Sequence, residues 1–144
     1  MSHQEAKAMT AFATTFAVAM AYALHLARSL DAGTLADGAM AGRTILILIA
    51  AVVGAGIAGQ VVLHLARVVL GREVEWDEDE RDRLIDLRAM NVAFSVLGAG
   101  FLAAVAGLAL GWPPVLALHA ITGAMLLAGL TADGIRIVLH RRGG

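Results

Sequence analysis

Residues 89–139 read AMNVAFSVLGAGFLAAVAGLALGWPPVLALHAITGAMLLAGLTADGIRIVL, two apolar runs separated by the tetrapeptide GWPP. Each run is long enough to cross a bilayer core of about 30 Å as a helix, which takes about 20 residues. Proline suits the first position of a helix, so Pro113 predicts the start of the second run. We therefore predict an antiparallel pair of membrane helices joined by a tight turn.

The composition of the whole chain favours the same environment. Of its 144 residues, 59% are apolar and 16% are charged, and the mean hydropathy is +0.76. Soluble domains are about 45–50% apolar and about 25% charged. The 11 Lys and Arg residues balance the 12 Asp and Glu residues, so no overall field attracts a nucleic acid. Because the chain has no cysteine, disulfides, thiolate metal sites and thiol catalysis are excluded.

Four apolar stretches are long enough to span a bilayer. They cover residues 9–30, 44–70, 89–110 and 113–139. Helices are expected because backbone groups in lipid need hydrogen-bond partners within their own segment, and the strict alternation of a membrane barrel is absent. We predict one all-α domain over residues 1–144, an integral membrane four-helix bundle. A cleaved signal peptide over residues 1–23 is the alternative for the first stretch, but its apolar run is longer than usual.

The distribution of basic residues predicts the orientation. Arginines surround the link between the second and third stretches, residues 71–88, which we call the charged link, and others lie at the C-terminus. The first link carries few basic residues, and the turn at Trp112 carries none. Lys and Arg mark the cytoplasmic side. We expect a multi-pass protein of the bacterial inner membrane, with both termini and the charged link in the cytoplasm and helices 2 and 3 extended into it.

The charged link is the most polar segment, with eight acidic residues and four arginines. Acids are favourable at a helix start, and Asp77–Arg81 and Asp79–Arg83 have the favourable i,i+4 order. A solvated, self-paired helical extension accounts for this pattern, and the functional alternative is a docking surface for a protein partner. The docking candidates are Glu75, Asp77, Asp79, Glu80, Arg81 and Arg83. We expect no metal site, because the arginines compete for the carboxylates and no calcium-loop motif is present.

A short motif at the end of the charged link resembles a known family. The tripeptide DER at residues 79–81, followed by Ile85 and by the dipeptide RA at residues 88–89, leads into an apolar run. This pattern is similar to a family of small prokaryotic membrane proteins of unknown function, which carries an Asp-Glu-Arg signature before a helical hairpin. The resemblance covers residues 60–142. It implies a small bundle in the cytoplasmic membrane and supplies no catalytic residues.

Polar residues inside the spans suggest a transport path. The residues that would line it are Gln60, His64, Asn91 and Asp133. Ionisable residues within a membrane are functional candidates by default, so a small homodimeric transporter or channel is the alternative function. The structural alternative is that these groups join helices, which polar side chains also do in membranes. In that case Asp133 pairs with Arg136 at the i,i+3 spacing.

Two histidines raise a minor alternative. His25 and His119 are both expected toward the outer leaflet, and two histidines on facing helices can ligate a b-type haem. The aromatic content of 5% is low for a haem pocket. We therefore expect no cofactor and keep a haem-carrying electron-transfer subunit as the minor alternative.

The sequence predicts a non-catalytic protein. It contains no nucleophile–base pair, no glycine-rich phosphate loop with a lysine and no glutamate-framed metal motif. The predicted function is an accessory or regulatory role in which the charged link docks a partner. Small residues one turn apart, such as Ala50, Gly54 and Ala58, let helices approach closely. That spacing favours a homodimer surrounded by lipid.

Overall fold

The structure, a computed structural model, shows four helices among the residues that it describes. It describes the backbone of residues 3–31, 33, 37–69 and 80–142, with side chains for 7–31, 33, 37–51, 80–142 and a few positions between 54 and 65. The helices are α1 (His3–Asp31), α2 (Gly38–Val69), α3 (Glu80–Ala109) and α4 (Pro114–Arg142). No strand occurs among the described residues. The prediction of an all-α fold is confirmed.

In the described part of the chain, three helical segments are long and apolar enough to cross a membrane. These segments are Lys7–Asp31, Glu80–Ala109 and Pro114–Arg142, and within α2 the described residues contain a shorter apolar segment, Gly38–Ala51. Large apolar side chains point outward all around the helices, whereas the buried apolar residues are mostly alanine. Water would penalise so much exposed apolar surface. The arrangement indicates a membrane-embedded protein.

Helix α4 lies at the centre of the packing. Both α1 and α3 pack against α4, while α2 packs mainly against α1. The interface between α3 and α4 is built on four buried alanines, Ala89, Ala93, Ala128 and Ala132. Small side chains bring the two backbones close together, which is how membrane helices gain packing contacts without a hydrophobic driving force. Helices α1 and α3 have almost no contact with each other, so they form two separate walls on α4.

The turn between α3 and α4 is a Schellman motif. Gly111 has a φ of 87°, its N–H donates to the carbonyl of Leu108 at 3.1 Å, and the N–H of Trp112 donates to the carbonyl of Gly107 at 2.9 Å. Glycine adopts this left-handed conformation without strain. The Trp112 ring lies directly on Gly107, where a Cβ would overlap it. The predicted helical hairpin is confirmed, and α4 begins at Pro114.

Helix α2 begins before the apolar stretch predicted from residue 44. The carboxylate Oδ1 of Asp37 accepts hydrogen bonds from the N–H groups of Ala39 at 3.0 Å and Met40 at 3.2 Å. This is an N-cap, which satisfies N–H groups that have no partner within the helix. The first turn of α2 therefore forms from the small residues that follow Asp37.

Successive helices run in opposite directions. The starts of α1 and α3 and the end of α4 lie together at one end of the molecule, the charged end, where Arg141 contacts Met9 and His140 contacts Asp82. The end of α1, the start of α2 and the α3–α4 turn lie at the other end, the turn end, where His25 contacts Thr44. Residues 71–79 of the charged link lie outside the described residues, and so does the predicted helical extension before Glu80.

Candidate functional site

An arginine of α4 joins two carboxylates at the charged end. Arg136 Nε donates to Asp86 Oδ1 on α3 at 2.7 Å, and Arg136 Nη1 donates to Asp133 Oδ1 at 2.9 Å. The Asp133 side chain is 9% exposed, whereas that of Asp86 is 54% exposed. Thr15 of α1 also contacts the Asp133 carboxylate. The predicted pairing of Asp133 with Arg136 is confirmed. Arg136 also pairs with a second, more exposed acid, Asp86 on α3.

A second pair joins α3 and α4 one helical turn closer to the charged end. His140 Nδ1 lies 3.6 Å from Asp82 Oδ1. The pairing of Asp82 and Asp86 with α4 was not among the sequence-based predictions, although the sequence contains a signal for it. Both pairs lie at equal distances along the chain from Gly111, on either side. Two acids one turn apart therefore face two basic residues one turn apart across the hairpin.

A polar cavity of about 200 Å³ opens beside these pairs, where α1, α3 and α4 meet. Its polar lining residues are Lys7, Asp86, Asp133, Arg136 and His140, and α1 also contributes Ala8 and Ala11. Charges are costly in hydrocarbon, so the level of this cavity is expected to be the membrane surface. Lys7 could not be connected with these residues from the sequence, because they lie on other helices that are distant along the chain.

An apolar groove of about 270 Å³ continues from the polar cavity toward the middle of α4. Its residues include Met90, Phe94 and Leu97 on α3 and Ala128, Gly129 and Ala132 on α4. Asp133 and Arg136 line both spaces. A polar cavity thus lies next to an apolar groove along α4.

Polar contacts also join helices at the turn end. The hydroxyl of Tyr22 on α1 lies 2.7 Å from His119 Nδ1 on α4, and both residues are buried. His25 Nε2 lies 3.2 Å from Thr44 Oγ1 on α2 and 3.4 Å from Ser29 Oγ. Both histidines thus lie at the same end, where each contacts a neighbouring helix.

Among the described residues, no group of three or more His, Asp or Glu could hold a metal ion. Haem ligation by His25 and His119 stays a prediction.

The start of α3 has an inner and an outer face. Glu80, Arg81 and Arg83 are exposed, and Leu84 and Leu87 beside them are 50% and 53% exposed. We call these five residues the outer face of α3. Asp82 and Asp86 instead turn toward α4 through the pairs described above.

Glu80, Arg81 and Arg83, three of the six predicted docking residues, therefore lie on the outer face of α3. The other three, Glu75, Asp77 and Asp79, lie outside the described residues, and so do their predicted pairs with Arg81 and Arg83. The docking role itself stays a prediction.

The residues of the predicted polar path have different surroundings. Asn91 is exposed on α3, and its carbonyl accepts a hydrogen bond from Ser95 Oγ at 3.0 Å. Asp133 is buried and paired with Arg136, and Asn91 lines neither of the two cavities that Asp133 lines. The side chains of Gln60 and His64 lie outside the described part of α2. The path stays a prediction.

Comparisons of the chain with protein-family models, with curated proteins and with solved structures found no match. The resemblance of residues 79–89 to a family of small membrane proteins stays a prediction, as does the homodimer. The fold and its polar ends define the class: an all-helical, membrane-embedded protein.

Proposed function

We propose that the chain crosses a bacterial inner membrane four times, with the charged end in the cytoplasm. The alternating helix directions and the accumulation of Lys7, Arg136, Arg141 and Arg142 at that end support this topology, since basic residues mark the cytoplasmic side. Helix α2 has 32 residues, more than the roughly 20 needed for a crossing. This arrangement makes the protein an N-in/C-in bundle.

Single cysteines test the topology directly, because the chain has none of its own. In intact spheroplasts, we expect a membrane-impermeant maleimide to label Asp31→Cys and Leu110→Cys at the turn end. Arg83→Cys should react only after permeabilisation, since the bilayer shields the charged end. The measurement is the labelled fraction of each full-length variant on a gel.

The same labelling experiment can reject the topology. If α2 stays on the outer surface instead of crossing, Arg83→Cys reacts in intact spheroplasts and Leu110→Cys does not. Full labelling of all three variants after permeabilisation is the control for thiol reactivity.

In this topology the protein has a non-catalytic accessory or regulatory role, and the charged end docks a cytoplasmic protein. The observation that carries the proposal is the outer face of α3. There, Leu84 and Leu87 are half exposed among charged residues, although Asp82 and Asp86 of the same turns are engaged with α4. Apolar side chains inside a charged rim are typical of interface anchors.

The net charge of the charged link indicates which kind of partner surface would bind it. Residues 71–88 hold eight acids against four arginines, so the segment is net acidic. We propose a partner surface that has an apolar pocket for the two leucines and, beside this pocket, an excess of Lys and Arg that faces the acids of the charged link. Complementary charge steers such an encounter and selects the partner, whereas the apolar contacts contribute more of the affinity.

Replacing Leu84 and Leu87 with alanine should lower recovery of the partner about tenfold in cross-linking of intact cells, because two interface anchors are lost. Replacing Glu80 with glutamine should lower it about threefold, since an exposed acid that faces the basic partner is lost and charges at a rim are screened by solvent. The measurement is the amount of cross-linked partner per amount of full-length protein, with the partner identified by mass spectrometry.

A matched control replaces two exposed leucines at the other end of α3 with alanine. Leu102 and Leu108 are also exposed but lie toward the turn end, so the double alanine variant should keep full recovery. Equal losses in the two double variants would reject docking at the outer face of α3.

A further inference from the structure

The polar cavity and the apolar groove lie next to each other along α4, and we call the two together the cleft. Among the described residues, α1 and α3 have almost no contact with each other. Helices α1, α3 and α4 line the polar cavity, whereas the groove is lined by α3 and α4. Asp133 and Arg136 lie between the two parts and line both. The cleft begins at the charged end and follows α4 toward the membrane interior.

We propose that this cleft binds one phospholipid with an ethanolamine headgroup, with the headgroup in the polar cavity and one acyl chain in the apolar groove. Such a lipid combines an anionic phosphate, an ammonium group with N–H donors and long apolar chains. The cleft offers a matching order of groups along its length: charges at the membrane surface, then an apolar channel.

The charges of the polar cavity favour a headgroup that carries both signs. Lys7 and Arg136 are balanced by Asp86 and Asp133. Within the described part of the chain, Lys7 has no ion-pair partner, so it is available to the phosphate. Asp86 is paired with Arg136 but remains half exposed, so its second oxygen can accept from the ammonium group. A phosphate and an ammonium bound to such partners form charge-assisted hydrogen bonds.

The balance of charge also discriminates between headgroups. A phosphatidylglycerol head would bring a net negative charge into a cavity whose own charges already cancel. A choline head would bring an ammonium without N–H donors, which cannot hydrogen bond to Asp86. The apolar groove adds little selectivity, because lipid tails are as apolar as the side chains that line it. Selection therefore occurs at the headgroup.

The shape of the apolar groove suits an acyl chain. Its floor is made of Ala128, Gly129 and Ala132, whose small side chains leave a depression along α4. Phe94 forms the wall and is 61% exposed. A helix from a second copy would also fit these small residues, but its apolar side chains would offer no partner to Lys7 and Asp86 in the adjoining polar cavity. A lipid supplies partners for both.

The test is native mass spectrometry of the full chain in micelles with equal amounts of phosphatidylethanolamine, phosphatidylglycerol and phosphatidylcholine. We expect the wild type to retain the ethanolamine lipid about fivefold over each of the others, the effect of about one net hydrogen bond. Asp86→Asn removes the negative charge that attracts the ammonium group, replaces one carboxylate oxygen with an amide donor and leaves the cavity net positive, so the preference should shift to phosphatidylglycerol. Lys7→Gln should lower retention of both phosphatidylethanolamine and phosphatidylglycerol.

Two control variants remove a charge outside the cleft and test whether the lipid preference depends on the charges inside it. Asp31→Asn removes an acid at the turn end, and Arg83→Gln removes a base at the charged end outside the cleft, so both should behave like the wild type. The lipid ratio is measured within one sample, and loss of folded protein does not change it. A wild-type ratio near one, or an unchanged ratio in Asp86→Asn, would overturn the proposal.

A second measurement addresses occupation by another copy of the chain. If Phe94→Cys forms an efficient disulfide between two chains in native membranes, a second copy fills the groove and the lipid proposal is rejected.

The lipid proposal rests on membrane embedding but not on docking of a protein partner. Its failure would leave partner recovery through Leu84 and Leu87 unchanged, so the two proposals fail separately.

Discussion

Arg136→Ala is expected to lower the free energy of unfolding by about 3 kcal/mol, near the lower limit for breaking one side of a buried ion pair. The substitution leaves the buried Asp133 carboxylate and the Asp86 carboxylate without their shared cation. Thr15 can donate a hydrogen bond to Asp133 but cannot supply a charge. The measurement is denaturant unfolding in mixed micelles, followed by helical circular dichroism.

A double variant separates the ion pair from a general loss of packing. In the Arg136→Ala background, Asp133→Asn should recover much of the lost stability, because an amide carries no charge that needs a partner. Arg83→Ala is the matched control, since Arg83 is exposed on α3 and a surface substitution changes stability by about 0.5 kcal/mol or less. Equal effects of Arg136→Ala and Arg83→Ala would contradict a stabilising role for the bridge.

Gly100→Ala is expected to lower the free energy of unfolding by about 1–3 kcal/mol, the usual effect of overpacking. A Cβ at Gly100 would overlap the Cβ of Ala124 on α4. A methyl group has no rotamer that avoids the contact, so the two helices must move apart. Alanine is a better helix former than glycine by about 1 kcal/mol, but the overlap outweighs this gain.

A neighbouring glycine provides the control. Gly98 lies on the same helix, with nothing within 4 Å of a Cβ placed on it, so Gly98→Ala should be neutral or stabilising by up to about 1 kcal/mol. Ala124→Gly should partly restore the stability of Gly100→Ala, because it removes the opposing methyl group. The close approach of α3 and α4 would be refuted if both alanine variants were equally stable.

The sequence alone was sufficient for the fold class. The apolar runs and the balanced charge predict helices in a membrane, because in lipid each segment must satisfy its own backbone. The turn at Gly111 and the pairing of Asp133 with Arg136 were also predictable. Both depend on residues a few positions apart along one chain segment, and such local geometry does not need a tertiary structure.

The composition of the cleft could not be predicted in this way. Lys7, Asp86 and His140 belong to three different helices, and only the packing brings them into one cavity. The outward position of Asn91 was equally unpredictable, since a single polar residue on an apolar helix does not indicate which side it faces.

Hydropathy therefore determined that this chain is helical and embedded in a membrane, whereas the tertiary structure alone decided which side of each helix faces a neighbour. The physical reason is that lipid and protein interior are both apolar. Large residues such as Leu102 face outward and small ones such as Ala89 face inward, so the usual contrast between a polar surface and an apolar core disappears. What distinguishes the inner face is the size of its side chains and the few charges that find partners across the helices.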